Sequence, residues 1–317
     1  MNWKPASGPL DSGSNSRYSS DMNLLVVDIG NTDIKFGVFQ GDTLIRHWRA
    51  TGTRTHPEKF SAMLRDSLAV AGAEFDVLVY TSVVPEVEFV FRKTMQYCFH
   101  LPESRIFAIE PKRMQLPLDM SRYPLEQLGM DRLVNACGAS LMYPETNLIV
   151  VDFGTATTFD LVNSAGEYLG GAIAPGLQTF SESLSQKTAK LPNLSVIGKR
   201  SNELAMGVDT VSSIEAGLGF GYRGLVRELL KASAQVLDTR EFLLIGTGGL
   251  AEPVIQLCGM DSFFHVVDPM LTLKGLQLLY LYTQDPSQFR KKTLTTEPDD
   301  ALSGDTQDET PLCSESI

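Results

Sequence analysis

Two short stretches of this chain each drive an apolar run into an aspartate and then into a glycine with small polar neighbours. The first, "LLVVDIGNTDIKF", supplies Asp28, Gly30, Asn31, Thr32 and Lys35; the second, "LIVVDFGTATTFDLV", supplies Asp152, Gly154, Thr155 and Thr157. The two aspartates stand 124 residues apart at equivalent places. Glycine lets the backbone approach a ligand with no β-carbon in the way, and the nearby amide, hydroxyl and turn N–H groups can cradle phosphate oxygens. An aspartate ending such a strand suits a cation or its water shell, because a carboxylate in contact with phosphate is repelled. Lys35 can offset phosphate charge. One copy alone is explained by a hairpin whose glycine serves turn geometry. Two matching copies favour a nucleotide held between two walls, although no Walker sequence or protein-kinase catalytic loop is present.

A third stretch, "YPLEQLGMDRLVNACGAS", begins at Tyr123. Gly129 breaks an irregular segment, and Asp131 precedes a helix rich in small residues. An aspartate there reads first as a helix N-cap. Asp131 beside Arg132 also pairs a potential general base with a guanidinium suited to a carboxylate or phosphate. In a phosphoryl transfer such an acid takes the proton of the attacking hydroxyl, while metal and backbone donors stabilise the phosphoryl charge.

The fourth stretch is "GTGGLA". Gly246, Gly248 and Ala251 match the dinucleotide fingerprint, and Asp268 ends the next apolar run where a ribose-binding acid belongs. It points to a nicotinamide-dependent dehydrogenase. Against that, it lies late in the chain and leaves both aspartate turns unexplained. The same glycines could let an adenosine lie against the backbone.

To bring these residues together the chain needs strands that end at the aspartates and a helix that begins near Asp131. Alternation in "LLVVD", "DIKFGVF" and "TLIRHWRA" predicts three short antiparallel strands. Phe60, Leu64, Leu68 and Ala71 recur on one helical face that opens at a proline and closes at Gly72. "DVLVYTSVV" is then a strand and "PEVEFVFRKTMQYCF" a helix. The order restarts at Leu148 with strand, turn and strand, then "GEYLGGAIAP" as a third strand. Helices over 176–190 and 209–238 follow, then a strand at "EFLLIG", a helix from Leu250, a strand at "FFHVVD" and a helix from Leu271. Such an offset is a domain-sized duplication, too long for a solenoid repeat. The expected class is α/β, with two related domains, 23–146 and 147–287, facing each other across a cleft.

With 317 residues, 43% of them hydrophobic, the chain can bury two such cores. Its net charge of -11 owes much to Glu297, Asp299, Asp300, Asp305, Asp308, Glu309 and Glu315, which follow Lys292 with no base among them. No basic stripe offers a nucleic-acid footprint. The four cysteines and four histidines lack metal-ligand spacing, which fits reduced thiols in a cytoplasm. Residues 1–22 read as a flexible leader without a signal-peptide core, no apolar run is long enough for a membrane span, and 288–317 read as a disordered acidic tail.

In order along the chain, "DIGNT", the Tyr123–Arg132 segment, "DFGTATT", "GGAIAPGL", "TAKLP", "DTVSSIEAGLGFGYRGLV", "GTGGLA" and "DPMLTLKGL" resemble the type III pantothenate kinases. These belong to the actin and sugar-kinase superfamily of duplicated ATPase domains, and the resemblance covers about residues 23–283. It implies two ribonuclease-H-like domains, each a mixed sheet flanked by helices around a nucleotide cleft. The implied activity is ATP-dependent phosphorylation of pantothenate to 4'-phosphopantothenate, the first step of coenzyme A synthesis. The implied phosphate contacts are Asp28, Gly30, Asn31, Thr32, Lys35, Gly154 and Thr155, and Asp131 is the implied proton acceptor. Tyr123, Gly129, Met130, Asp131, Arg132 and Thr210 are the implied pantothenate contacts, with Thr210 supplied across a homodimer interface. Asp152 becomes the ligand of a monovalent cation, K+ or NH4+, needed beside Mg2+. The residues by themselves do not separate the roles of Asp28 and Asp152. A non-catalytic ATP-binding regulatory protein is the alternative outside enzymes.

Overall fold

In strand β1 (Asn23–Ile29) every residue after the first is buried, and the residues divide by parity. Leu24 and Val26 join one core, whereas Leu25, Val27 and Ile29 join another. Successive strand residues face opposite ways, so an unbroken apolar run marks a strand covered on both sides. Strand β6 (Leu148–Phe153) repeats the division: Leu148 and Val150 enter the same core as Leu24, and Ile149, Val151 and Phe153 enter a third. Asp28 shares the face of Leu24 and Val26, and Asp152 that of Leu148 and Val150. Both aspartates therefore lie on the faces that the two sheets turn toward their common core.

The computed structural model describes residues 22–51, 57–72, 74–195 and 206–289. The expected leader and acidic tail lie almost wholly outside them. β1 is the centre of a five-stranded sheet that also holds β2 (Asp33–Gln40), β3 (Thr43–Thr51), β4 (Val77–Ser82) and β5 (Ile106–Ala108), in the order β3-β2-β1-β4-β5. β2 and β3 are antiparallel to their neighbours, and β4 and β5 run parallel. The second sheet combines β6 with β7 (Ala156–Val162), β8 (Tyr168–Pro175), β9 (Leu243–Thr247) and β10 (Val266–Val267) in the order β10-β9-β6-β7-β8. Read from the opposite edge it has the same order and the same directions. The duplication expected from the aspartate turns is thus a duplication of topology.

Helices α1 (Pro57–Ala71) and α2 (Pro85–Cys98) cover the outer face of the first sheet. Helix α5 (Thr210–Val236) and α6 (Ala251–Leu257), with the start of α4 (Leu177–Lys187), cover the outer face of the second. Between the sheets lie α3 (Met130–Met142) and α7 (Leu271–Gln284), the helices that close each half. They meet at Gly138 and Gly275, where a β-carbon on Gly138 would stand 2.6 Å from the Gly275 Cα. That contact lets α3 sit deep enough to present its first turn to both sheets. Truncating a side chain of this shared core, such as Leu276 to alanine, should cost about 2–5 kcal/mol.

Two elements differ from the sequence reading. β5 has only three residues, too few for a period-2 signal, and the strand expected at "FFHVVD" is the two-residue β10.

Candidate active site

Antiparallel pairing of β1 with β2 sets Asp28 directly opposite Lys35. Residues so paired share a face, and the ammonium lies 3.3 Å from Asp28 Oδ2. The second copy pairs Asp152 with Thr158 instead, so it has no lysine of its own. Asp152 Oδ2 accepts a 2.9 Å bond from the Asn135 side-chain amide on α3. The two acids, alike on paper, therefore have different partners. Each also has a buried threonine on the parallel neighbour strand, Thr81 beside Asp28 and Thr247 beside Asp152.

Asp131 occupies the first turn of α3, not its cap. Gly129 takes the N-cap position, and Asp131 Oδ1 accepts from the Arg132 backbone N–H at 2.9 Å. Burial raises the Asp131 carboxyl above its ordinary value, and the Asp28 carboxylate adds to that rise, with Asp152 adding less and Lys35 opposing. Burial likewise raises Asp152, against Lys35 and Asn135. For Lys35 burial works downward, but Asp28 and Asp152 outweigh it and hold the ammonium above its ordinary value. Three carboxylates from three elements thus share the field of one lysine, an arrangement short of positive charge. Such a deficit suits a site that receives a metal-bound polyphosphate.

The turns close the site from two sides. Gly30 N–H donates to Asp33 O and Gly154 N–H to Ala156 O, each at 3.0 Å, so the glycine closes both turns, the second one residue tighter. The Thr32 and Thr155 hydroxyls stand 3.3 Å apart across the cleft. Thr155 O accepts from Gly176 N–H and from Thr179 Oγ1 at the start of α4, which explains the glycine of "GGAIAPGL" as a clamp on the second turn. Thr157 adds no donor to this wall: it is fully buried and bonded to Tyr222.

"GTGGLA" is the link from β9 into α6, and its glycines serve this same site. Gly248 has φ +95°, and a β-carbon there would lie 2.2 Å from Asp152 Oδ1. Gly249 lies against the guanidinium of Arg49, which crosses from β3 and pairs with Asp33 at 3.2 Å. Asp268 is engaged by Lys274 at 2.6 Å and by the Met270 N–H at 3.0 Å. Gly246 packs against Ile255 and Phe264 and Ala251 is fully buried, so each expected element of the dinucleotide fingerprint is accounted for by packing or pairing, and the dehydrogenase reading is set aside.

Among the remaining expected residues, Tyr123 packs edge-on against Tyr168 at 5.4 Å, and Met130 packs on the shared core. Arg132 is buried, bonded through Nε and Nη2 to Asp160. Thr210 is exposed at the first position of α5 and lines a separate cavity of about 820 Å³ with Phe180, Leu184, Leu191 and Val208. None of Tyr123, Gly129, Asp131 and Arg132 lines that cavity. Asn135, Arg49, Asp160 and Tyr168 were not singled out from sequence. Asn135 falls four residues after Asp131, which is the one signal that could have found it.

Among the described residues no cluster of three His, Cys, Asp or Glu forms a ready metal cage. The fit to a cation rests on orphaned acceptors instead. Asp28 Oδ1 and Asn135 Oδ1 are buried without a hydrogen-bond partner, and such oxygens are costly unless a donor or cation meets them. No described helix is long and apolar enough to cross a membrane.

The sequence model of the type III pantothenate kinase family matches residues 24–232. A type III pantothenate kinase of Thermus thermophilus is 39% identical over 262 residues, 81% of this chain and 98% of that protein. The enzyme of the same name from Dehalococcoides mccartyi is 33% identical over 269 residues, 84% of this chain and 98% of its own. That from Geobacter sulfurreducens is 36% identical over 262 residues, 81% and 98% respectively.

Proposed function

The chain belongs to the type III pantothenate kinase family, and from that premise we propose a division of labour within its cleft. The reaction is phosphorylation of pantothenate by ATP, with a divalent metal, in coenzyme A biosynthesis. The observation that carries the reading is the convergence of Asp28, Asp131 and Asp152 on Lys35.

Asp131 accepts the proton of the pantothenate hydroxyl as that oxygen bonds to the γ-phosphorus and the bond to the bridging oxygen of ADP breaks. Its raised proton affinity suits the task, because a base must hold the proton it takes. Lys35, the Gly30–Thr32 turn and Gly154 with Thr155 contact the phosphates from the two walls. Asp28 and Asp152 stand back from the phosphates as cation anchors. Mg2+ supplies charge neutralisation on the polyphosphate when bound, and K+ or NH4+ is assigned to Asp152, beside the unpartnered Asn135 oxygen. Arg132, with Tyr123, Gly129 and Met130 around it, receives the pantothenate carboxylate.

The lobes are assigned as 23–146 and 147–287, following the composition of the two sheets. A homodimer is proposed through the surface around Thr210, where Met206 and Val208 are 83% and 96% exposed. Isolated apolar side chains on a surface are ordinary, but a cluster beside a cavity is better covered. A cytoplasmic site of action agrees with the free Cys98, Cys137 and Cys258.

The deciding experiment measures ADP release with and without pantothenate. Release that depends on pantothenate, with 4'-phosphopantothenate as product, supports the reading. Nucleotide binding without pantothenate-dependent release would instead favour the regulatory alternative.

A further inference from the structure

Asp160 on β7 is fully buried, and its Oδ1 is shared by one arginine and one tyrosine. Its Oδ1 accepts from Arg132 Nε at 2.9 Å, from Arg132 Nη2 at 2.8 Å and from the Tyr168 hydroxyl at 2.6 Å. Arg132 Nη2 also donates to the Tyr168 oxygen at 3.0 Å, and Thr158 Oγ1 lies 3.5 Å from Asp160 Oδ2. The strand pairing leaves room for this mount. Asp160 is opposite Gly171 on β8, and a β-carbon at Gly171 would fall 2.7 Å from Arg132 Nη2. Tyr123 closes the other side of Tyr168 with its ring edge.

These bonds engage Nε and Nη2, and the Tyr123 side chain is a further hydrogen-bond partner of Arg132, which still leaves part of the guanidinium's N–H edge outside them. A guanidinium clamped along one edge has a fixed plane, so it loses little rotamer freedom when an anion docks on the remaining edge. Asp160 does not need to touch the ligand for this to matter.

We propose that Asp160, aided by Tyr168, is the positioning residue that orients Arg132 and thereby sets the preference of the site for a carboxylate-bearing substrate. The proposal rests on the reading that Arg132 receives the substrate carboxylate.

The test compares pantothenate with its alcohol analogue, which keeps the hydroxyl to be phosphorylated but carries a neutral hydroxymethyl group in place of the carboxylate. Wild-type enzyme should prefer the acid in kcat/KM. In Asp160→Asn that preference should shrink by about tenfold or more, chiefly through KM for the acid. Tyr168→Phe, which keeps the ring, should shift the ratio in the same direction and carries the test if Asp160→Asn does not fold. Equal loss on acid and alcohol in a folded variant, or an unchanged ratio, overturns the positioning role. A wild-type enzyme that treats acid and alcohol alike overturns the Arg132 reading beneath it, and the proposal with it. That result is distinguishable because it appears before any substitution is made.

Discussion

Asn135 donates its side-chain amide to Asp152 Oδ2 at 2.9 Å, which ties the second aspartate turn to the helix that carries Asp131. Asn135 and Asp131 are four residues apart and share a face of α3. One helix therefore places the proposed base and also fixes the carboxylate assigned to the monovalent cation. Replacing Asn135 with leucine removes a buried bond and should cost about 1–3 kcal/mol of stability. The potassium concentration that half-activates turnover should rise. Chemical denaturation and a KCl titration measure the two effects, and an unaltered potassium response would separate Asn135 from the cation.

Asp131→Asn should lower kcat by about 10²–10⁴-fold while leaving the melting transition close to wild type. The wild-type rate should fall on the acid side as Asp131 is protonated. Because burial and Asp28 raise this carboxyl, that limb should lie above the ordinary carboxylate range. The limb should be missing from the residual activity of the variant. A pH profile of kcat/KM, which reports the free enzyme, decides the matter, and near wild-type turnover would remove Asp131 as the base.

Asp160 makes stability depend on pH in a defined window. Burial pushes its carboxyl from 3.8 up to about 6, with Arg132 and Tyr168 opposing. The folded chain therefore holds this proton more tightly than the unfolded chain does. The resulting stabilisation is complete below the unfolded value and is lost as pH rises through the folded one. Relative to Asp160→Asn, which cannot ionise, wild type should lose stability between 3.8 and about 6 and show a constant difference above. Urea unfolding across that range checks the sign; a constant offset throughout would contradict it.

Gly248→Ala should be disruptive out of proportion to one methyl group. The position has φ +95°, and the new carbon would meet Asp152 Oδ1. Strain of this kind costs about 1–3 kcal/mol, and the displaced carboxylate should weaken the potassium response as well. A variant with wild-type stability would show that the turn relaxes freely.

Val208→Asp places a charge in the apolar surface beside Thr210. If that surface pairs two copies, sedimentation should show a shift from dimer to monomer, and pantothenate turnover should fall with it. A variant that stays dimeric would move the interface elsewhere.

Much of the fold was legible because it is written in short periods. The apolar runs of β1 and β6, the reversal at Gly30 and Gly154, and the proline that opens α2 are local signals, and each has its element in the structure. The site was legible where a motif ends an element: Asp28, Asp131 and Asp152 all stand at such ends. Reading Asp131 as a cap failed because Gly129 turns the chain two residues earlier. Asp160 and Tyr168 escaped notice because a polar residue in a strand looks like any outward-facing position until the strand is known to be covered on both sides.

By itself, the sequence determined that the chain is duplicated, where most of its strands and helices lie, and that both aspartates end a buried strand. Those properties depend on residues within a few positions of each other. Only the tertiary structure decided that Asp28 takes Lys35 whereas Asp152 takes Asn135, that Arg132 is clamped by Asp160, and that Thr32 meets Thr155. Apart from the Lys35 pairing, which a local hairpin register sets, these contacts join residues far apart in sequence. They exist because α3 and α7 approach closely enough at two glycines to seat α3 between the two sheets.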